Sequence, residues 1–333
     1  MAGCGIRSLR WGLEAAKACS SPLEIAVNDA DLDRFDDLQA NLAALERSGI
    51  NLQLTHQPAE VVLAQSRVEA RRFDLVDLDA FGCPAALIQP ALQVLRTEGI
   101  LVLASTDGRS PTGHDRRAAI RRFGTAARVH PASWEMALRQ LLGLVARQAW
   151  MLGRGVEPLV SFSDGRTFRL AVRLRHHPAP GEELLLGLLA RCEHCGAQQE
   201  QSMLNLRGWS SCCCALGDCR WMVHGPLWLG PLQNTGLLTE LIGMDDAASG
   251  AITQRLLLRL QADCGSPARV WTTAELSRRL GLAGPPPLKA LVNSLRSAGQ
   301  TACCSGVMPG QLRTNADLPV LLQHCSALRA GGI

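Results

Sequence analysis

The chain has 333 residues, of which 47% are apolar and 19% charged, and its mean hydropathy is near zero. At roughly 150 residues per domain this length holds about two domains with cores of their own, which excludes a disordered chain and a small disulfide scaffold. The 34 Lys and Arg against 30 Asp and Glu leave +4, a mild excess that suits a nucleic-acid partner without requiring one. The longest apolar-looking stretch, residues 134–151, is broken by Glu135, Arg139 and Arg147, so no membrane span is expected, and no secretory signal opens the chain. The expectation is a cytoplasmic protein, in which 13 cysteines read as thiols or metal ligands rather than disulfides. No feature calls for an obligate protein partner.

The first half alternates β-branched runs with helical patterns, the signature of a parallel sheet with crossover helices. Strands are expected at residues 23–27, 52–55, 73–78 and 99–104. Between them, residues 31–48 carry Leu32, Phe35, Leu38, Leu42 and Leu45 on one helical face, and further helices start near Ala59 and Pro84. A long helix at residues 133–152 precedes two strands, 156–161 and 168–174, joined at Asp164-Gly165. The turn-rich run at residues 176–181 marks the expected boundary between a domain at 1–176 and another at 177–333. In the latter, residues 190–223 are Cys-rich. Residues 250–325 read as a winged helix: a Thr-Thr-x-Glu capped helix at 272–280, a second at 287–298, and a hairpin within 299–314.

Polar residues end the strands, where open α/β sheets bind ligands. Gly3-Cys4-Gly5 opens a helix with free N–H groups and close backbone access, and Asp29, ending the next strand, is placed to take ribose hydroxyls. Asn28-Asp29 also reads as an N-cap. At the end of a buried strand, Asp79 and Phe81 stand two residues apart. An amine on a heteroaromatic ring is a poor nucleophile, so a site that alkylates it needs an acceptor for the N–H and a flat surface for the ring. Cys192-x2-Cys195 and Cys214-x4-Cys219 fit a structural zinc site of four thiolates, with Cys212 or Cys213 able to replace Cys214. Cys264, Cys303 and Cys304 read as buried thiols. Arg116, Arg117, Arg121 and Arg122, with Arg109 and Arg128 nearby, form a stripe beside the pocket that would grip an RNA backbone or be a solvated helix face. Trp209, Trp221, Trp228 and Trp271 read as core.

Seven segments in chain order carry a resemblance: Gly-Cys-Gly-Ile-Arg-x-Leu-Arg (3–10), Val-Asn-Asp (27–29), Asp-Leu-Asp-Ala-Phe-Gly-Cys-Pro (77–84), Ser-Thr-Asp (105–107), Glu-Met-Ala-Leu-Arg (135–139), Gly-x-Glu-Pro-Leu (155–159) and Gly-Pro-Leu-Trp-Leu-Gly-Pro-Leu (225–232). Together they resemble the tRNA (guanine-26-N2) dimethyltransferase family. The resemblance implies an α/β, Rossmann-like class I methyltransferase sheet and a smaller C-terminal α+β domain with a zinc-ribbon-like insert and a winged-helix-like end. It further implies S-adenosyl-L-methionine as methyl donor and tRNA as substrate. Gly3, Gly5 and Arg7 would face the methionine end of the cofactor, Asp29 its ribose and Ala59 its adenine. Asp79 would hold the guanine N2 amine and Phe81 would stack on the base. The family's Asp-Pro-Phe-Gly reads Asp-Ala-Phe-Gly at 79–82, and its Asp-Ala pair reads Pro58-Ala59, leaving Gln57 or Glu60 to replace the carboxylate. The first strand of the sheet is expected to be missing before Gly3. The alternative is a non-catalytic tRNA-binding relative with a decayed cofactor site.

Overall fold

The computed structural model describes residues 1–19, 21–165, 167–214, 219–244, 250–263 and 265–330. Helix α1 (Ile6–Ala18) begins at Gly5, whose φ is 81° and whose added Cβ would sit 2.7 Å from Leu38 Cδ1, so only glycine fits there. It packs on β1 (Glu24–Asn28) and on α2 (Phe35–Arg47), which buries Leu38, Leu42 and Leu45, three positions of the expected apolar face. Leu32 departs from that face: it lies in a 3-10 turn capped by Asp31 and is exposed. Next come β2 (Asn51–Thr55), α3 (Ala59–Val68), β3 (Phe73–Ala80), α4 (Ala85–Val94) and β4 (Leu95–Ser105). They are followed by α5 (Arg116–Phe123), α6 (Ser133–Trp150), β5 (Gly155–Ser163) and β6 (Phe168–Arg175).

The strands form two sheets. β1 and β2 pair in parallel, and β3-β4-β6-β5 form the second, with β3 and β4 parallel and the other two pairs antiparallel. Among the described residues β1 and β3 each keep one unpaired edge. Helix α1 ties the two sheets together. While it packs on α2 and β1, its Arg7 and Trp11 donate to the Asp77 carboxylate on β3.

After residue 176 come β7 (Leu186–Cys192), β8 (Gln198–Ser202) and β9 (Trp221–Trp228), an antiparallel sheet in the order β8-β7-β9 that sequence patterning did not anticipate. Helices α7 (Thr235–Gly243) and α8 (Ala251–Gln261) pack on each other. The end of the chain holds β10 (Val270–Thr272), α9 (Thr273–Arg279), α10 (Leu288–Ser297), β11 (Ala302–Cys304), β12 (Gln311–Thr314) and α11 (Leu318–Ala330). Thr272 Oγ1 accepts from the Glu275 N–H, the cap expected from Thr-Thr-x-Glu, and the expected hairpin gains β10 as a third strand.

Helix α6 binds the halves together. It is buried along most of its length, between the large sheet and β9, and Gly143 lets the β9 backbone approach: an added Cβ would lie 3.1 Å from Trp228 N. Arg139 donates to the carbonyls of Trp228, Gly230 and Gly265, and its Nε pairs with Glu135 at 2.8 Å. Arg313 of β12 forks onto Glu135 and Asp263. The Glu-Met-Ala-Leu-Arg and Gly-Pro-Leu-Trp-Leu-Gly-Pro-Leu segments are thus a contact between helix and strand. No helix among the described residues is long and apolar enough to cross a membrane.

Candidate active site

β3 and β4 run in parallel and in register, with Asp79 opposite Ala104 and Ala80 opposite Ser105, so their carboxyl ends place residues 79–82 beside residues 105–107. Asp79 is partly exposed. Arg7 lies between two carboxylates, with Nη2 at 2.8 Å from Asp77 and Nη1 at 3.0 Å from Asp79, while Arg169 lies 3.9 Å from Asp79. Burial raises the pKa of Asp77, against the opposing pull of Arg7 and the Trp11 N–H. Nothing in the sequence motifs singled out Arg169; it reaches the site because β6 pairs with β4.

Phe81 is fully exposed, the flat surface the chemistry needs. The next residue, Gly82 (φ 88°), donates its N–H to Thr106 Oγ1 at 2.7 Å. Its carbonyl accepts from the N–H groups of Thr106 and Asp107 and from Ser105 Oγ. Asp107 is buried, yet the Ser110 N–H and hydroxyl and the Arg122 guanidinium outweigh burial and lower its pKa. Its bond to Arg122 Nη1 is 2.7 Å, which joins this strand end to α5. Burial pushes the Cys83 thiol up, which does not suit a nucleophile.

On the other sheet, Asp29 Oδ2 accepts from the Gly3 N–H at 2.8 Å and Oδ1 from the Asp31 N–H at 2.9 Å. Against the opposing effect of burial, these bonds and the terminal amine bring its pKa down to about 2. Asp29 thus stands beside the Gly3 turn, whereas the residue that caps the following 3-10 turn is Asp31 and not the expected Asn28-Asp29 pair, because the Asp31 side chain is the one that reaches the Asp33 N–H. An added Cβ at Gly3 would meet nothing within 4 Å, so the turn opens onto free space. Ala59 begins α3 and lies half-buried after Pro58. Gln57 Oε1 is buried without a hydrogen-bond partner, an acceptor held in place by the bonds between Asn28 and the Gln57 backbone.

Arg109, Arg116, Arg117 and Arg121 are all exposed, the last three on α5, and none forms an ion pair among the described residues. Asp115 caps that helix by accepting from the Ala118 N–H.

The thiols of Cys192, Cys195, Cys212 and Cys214 lie within 4.8 Å of one another. Cys192 ends β7, Cys195 follows in the turn, and the other two come from the loop leading towards β9. Cys219, expected as the fourth ligand, is placed at the rim: its Sγ is 2.8 Å from Cys212 Sγ but outside the mutual group, while Cys213 is exposed. A two-residue spacing, Cys212 to Cys214, mimics a knuckle as well as the longer one does, so spacing alone did not choose. The donor set, four soft thiols converging on one point, suits zinc. Cys303 is buried, Cys304 is partly buried, and Cys264 lies outside the described residues. Trp228 and Trp271 are core residues, as expected. Trp209 and Trp221 are only partly buried and face each other at 6.2 Å between ring centres on the surface near Cys219, because β9 runs out of the core towards its amino end.

A family model described as N2,N2-dimethylguanosine tRNA methyltransferase matches residues 1–326. The tRNA (guanine(26)-N(2))-dimethyltransferase of Methanoculleus marisnigri is 28% identical over 327 residues, 96% of this chain and 82% of that protein. The same-named protein of Pyrococcus abyssi is 26% identical over 347 residues, 99% of this chain and 86% of that one. Among solved structures, Trm1 from Pyrococcus horikoshii in complex with S-adenosyl-L-methionine superposes with a TM-score of 0.82 at 22% identity, over 97% of this chain and 86% of that one, and so has the same fold. The match over nearly the whole length, in both halves and in one order, places this chain in the N2,N2-dimethylguanosine tRNA methyltransferase family.

Proposed function

We propose that this protein transfers methyl groups from S-adenosyl-L-methionine to the exocyclic N2 of the guanine at position 26 of tRNA, working in the cytoplasm. The observation that carries the reading is the pairing of a partly exposed carboxylate, Asp79, with a fully exposed ring, Phe81, at the carboxyl end of β3. The division of labour follows the chain: residues 1–176 form the methyltransferase domain and 177–333 the family-specific one.

The residues present suit the cofactor. Gly3 leaves open space before α1, Asp29 follows β1, Ala59 opens α3 after β2, and the unpartnered Gln57 Oε1 is an acceptor for an amine such as that of adenine. When bound, the cofactor supplies an electrophilic methyl on its sulfonium. The protein's part is alignment. The Asp79 carboxylate accepts a hydrogen bond from the guanine N2–H, turning the nitrogen lone pair away from the ring and towards the methyl. With the cofactor bound, N2 would take the methyl as the S–CH3 bond breaks and its electron pair stays on sulfur as a neutral thioether, and the N2 proton would pass towards the Asp79 carboxylate. Arg7, held by Asp77, sets a positive charge 3.0 Å from Asp79. Because N2 lies on the paired edge of the base, the guanine must be turned out of its stack, and Phe81 offsets part of that cost. Arg109, Arg116, Arg117 and Arg121 would contact the RNA backbone. A zinc ion held by Cys192, Cys195, Cys212 and Cys214, with Cys219 at the rim, would fix the loop between β8 and β9; four thiolates leave no open position for catalysis.

The test is methyl transfer from labelled S-adenosyl-L-methionine to unmodified tRNA, with Asp79→Ala as control. Transfer that vanishes in the variant is expected. Salt-sensitive tRNA binding with no transfer by the wild-type chain would leave a binding-only relative instead.

A further inference from the structure

We propose that Thr106 is the positioning residue of the base-stacking loop: through Gly82 it sets where Phe81 stands. The proposal rests on the reading of Asp79 and Phe81 given above and adds the residue that holds them. A fully exposed ring makes no packing contacts that would fix it, so its position depends on the backbone on either side. On one side, Ala80 is anchored by its pairing with Ser105. On the other, Gly82 has a left-handed φ of 88°, a conformation open to many alternatives in a glycine, and lies beyond the last strand residue.

Four hydrogen bonds restrict that freedom, and all come from residues 105–107. The Gly82 N–H donates to Thr106 Oγ1 at 2.7 Å, the Thr106 and Asp107 N–H groups donate to the Gly82 carbonyl at 2.9 and 3.2 Å, and Ser105 Oγ donates to the same carbonyl at 3.1 Å. The carbonyl therefore has three donors, but the N–H has a single acceptor, the Thr106 hydroxyl. Losing that one partner frees the peptide plane between Phe81 and Gly82 to rotate, and that plane sets the direction of the Phe81 Cα–Cβ bond. Thr106 is itself exposed, so its side chain carries no core packing that a substitution would disturb.

The experiment compares wild-type protein with Thr106→Val, which keeps the shape but removes the acceptor, and Thr106→Ser, which restores it. The first measurement is amide hydrogen exchange at Gly82. Thr106→Val should exchange at least tenfold faster and Thr106→Ser near the wild-type rate, with unfolding midpoints unchanged. The second is steady-state methylation of tRNA: kcat should fall about tenfold in Thr106→Val while KM for S-adenosyl-L-methionine stays within twofold, and Thr106→Ser should recover it. In a Phe81→Leu background the Thr106→Val change should cost nothing further, because both act through one ring. Unchanged Gly82 exchange, or a full additional tenfold loss in the Phe81→Leu background, would overturn the proposal. A wild-type chain that transfers no methyl would instead overturn the functional reading, and Gly82 exchange would still decide whether Thr106 holds the loop.

Discussion

Arginine serves two regions of this molecule in opposite ways. At the junction of the halves, Arg139 and Arg313 have no exposed surface, and every charge has a partner: Glu135 takes both guanidinium groups, and Asp263 takes Arg313 together with the N–H groups of Gly265 and Gly306. On α5, Arg116, Arg117 and Arg121 stand in water without ion-pair partners among the described residues, and Arg7 sits half-way between, sharing itself between Asp77 and Asp79 at the strand ends. A satisfied buried network holds a geometry and has nothing left to offer a ligand; an exposed, unsatisfied group is free to meet one. The junction therefore reads as structure and the strand ends with α5 as function, and the two can be separated by experiment.

The largest effect should come from breaking the junction. Replacing Arg313 with Met leaves Asp263 as a buried carboxylate without a cation and Glu135 with Arg139 alone, at a cost of about 3–5 kcal/mol in unfolding free energy. Arg313→Lys should recover little of it, since an ammonium cannot fork onto two carboxylates and the Pro267 carbonyl as the guanidinium does. Urea titration of both variants decides the matter; a loss under about 1 kcal/mol for Arg313→Met would mean that the network is not what joins the halves.

Acid should strain a neighbouring part of the same junction. His130 and His224 are buried edge to face, 5.3 Å apart, with Arg128 and Arg191 acting on them. The Ala132 N–H donates to His130 Nδ1, and neither ring nitrogen of His224 has a partner. Burial is the main reason that His224 titrates near 4 instead of the usual 6.5, with Arg128 and Arg191 adding to it, and His130 is also lowered. A lowered folded pKa means that the unfolded chain takes up protons first, so this contribution is complete above about pH 6.5 and is lost as pH falls towards 4. For His224 alone the loss is roughly 3 kcal/mol. Unfolding measured from pH 7.5 to 4.5 should show that slope, and His224→Phe should flatten it; an equal slope in both would locate the acid sensitivity elsewhere.

At the strand ends the pattern should invert, with activity falling while stability holds. Asp79→Asn keeps the shape and removes the charge that receives the proton, so methyl transfer should drop about 100-fold, near 2.7 kcal/mol of barrier. The unfolding midpoint should move little, because Asp77 still holds Arg7. Retained transfer would mean that the carboxylate only orients the loop.

How much of this was legible in the sequence differs between the same two regions. Strand ends are legible because they lie within single short segments: Asp79 and Phe81 share one strand end, and Gly3 and Gly5 one turn. The α2 face was likewise readable, since its three buried leucines repeat within one helix. The junction was not, because Glu135, Asp263 and Arg313 come from distant parts of the chain and no local pattern marks them. Arg169 escaped notice for the same reason, as did the β7–β9 sheet, where Gly187 and Gly225-Pro226 interrupt the apolar runs and β8 is polar throughout. The cysteines show the intermediate case. Spacing gave the cluster, and only folding distinguished Cys212 from Cys219, which are 2.8 Å apart.

The smallest effect expected is also the one that sharpens the contrast most directly. If the exposed arginines of α5 meet phosphate, each contact releases counterions from the RNA, and each should add up to about one unit to the slope of log affinity against log salt. Replacing Arg116, Arg117 and Arg121 together with Gln should then flatten the slope by about 2 and weaken tRNA binding at low salt, while leaving kcat at saturating tRNA and the unfolding midpoint near wild-type values. The hydrophobic anchors of α5, Ala118, Ala119 and Phe123, are untouched by these changes, as is the Asp115 cap, so the helix should remain in place. An unchanged slope would make the stripe a solvated face and shift the RNA contact to another surface, leaving Arg122, tied to Asp107, to join the helix to the site.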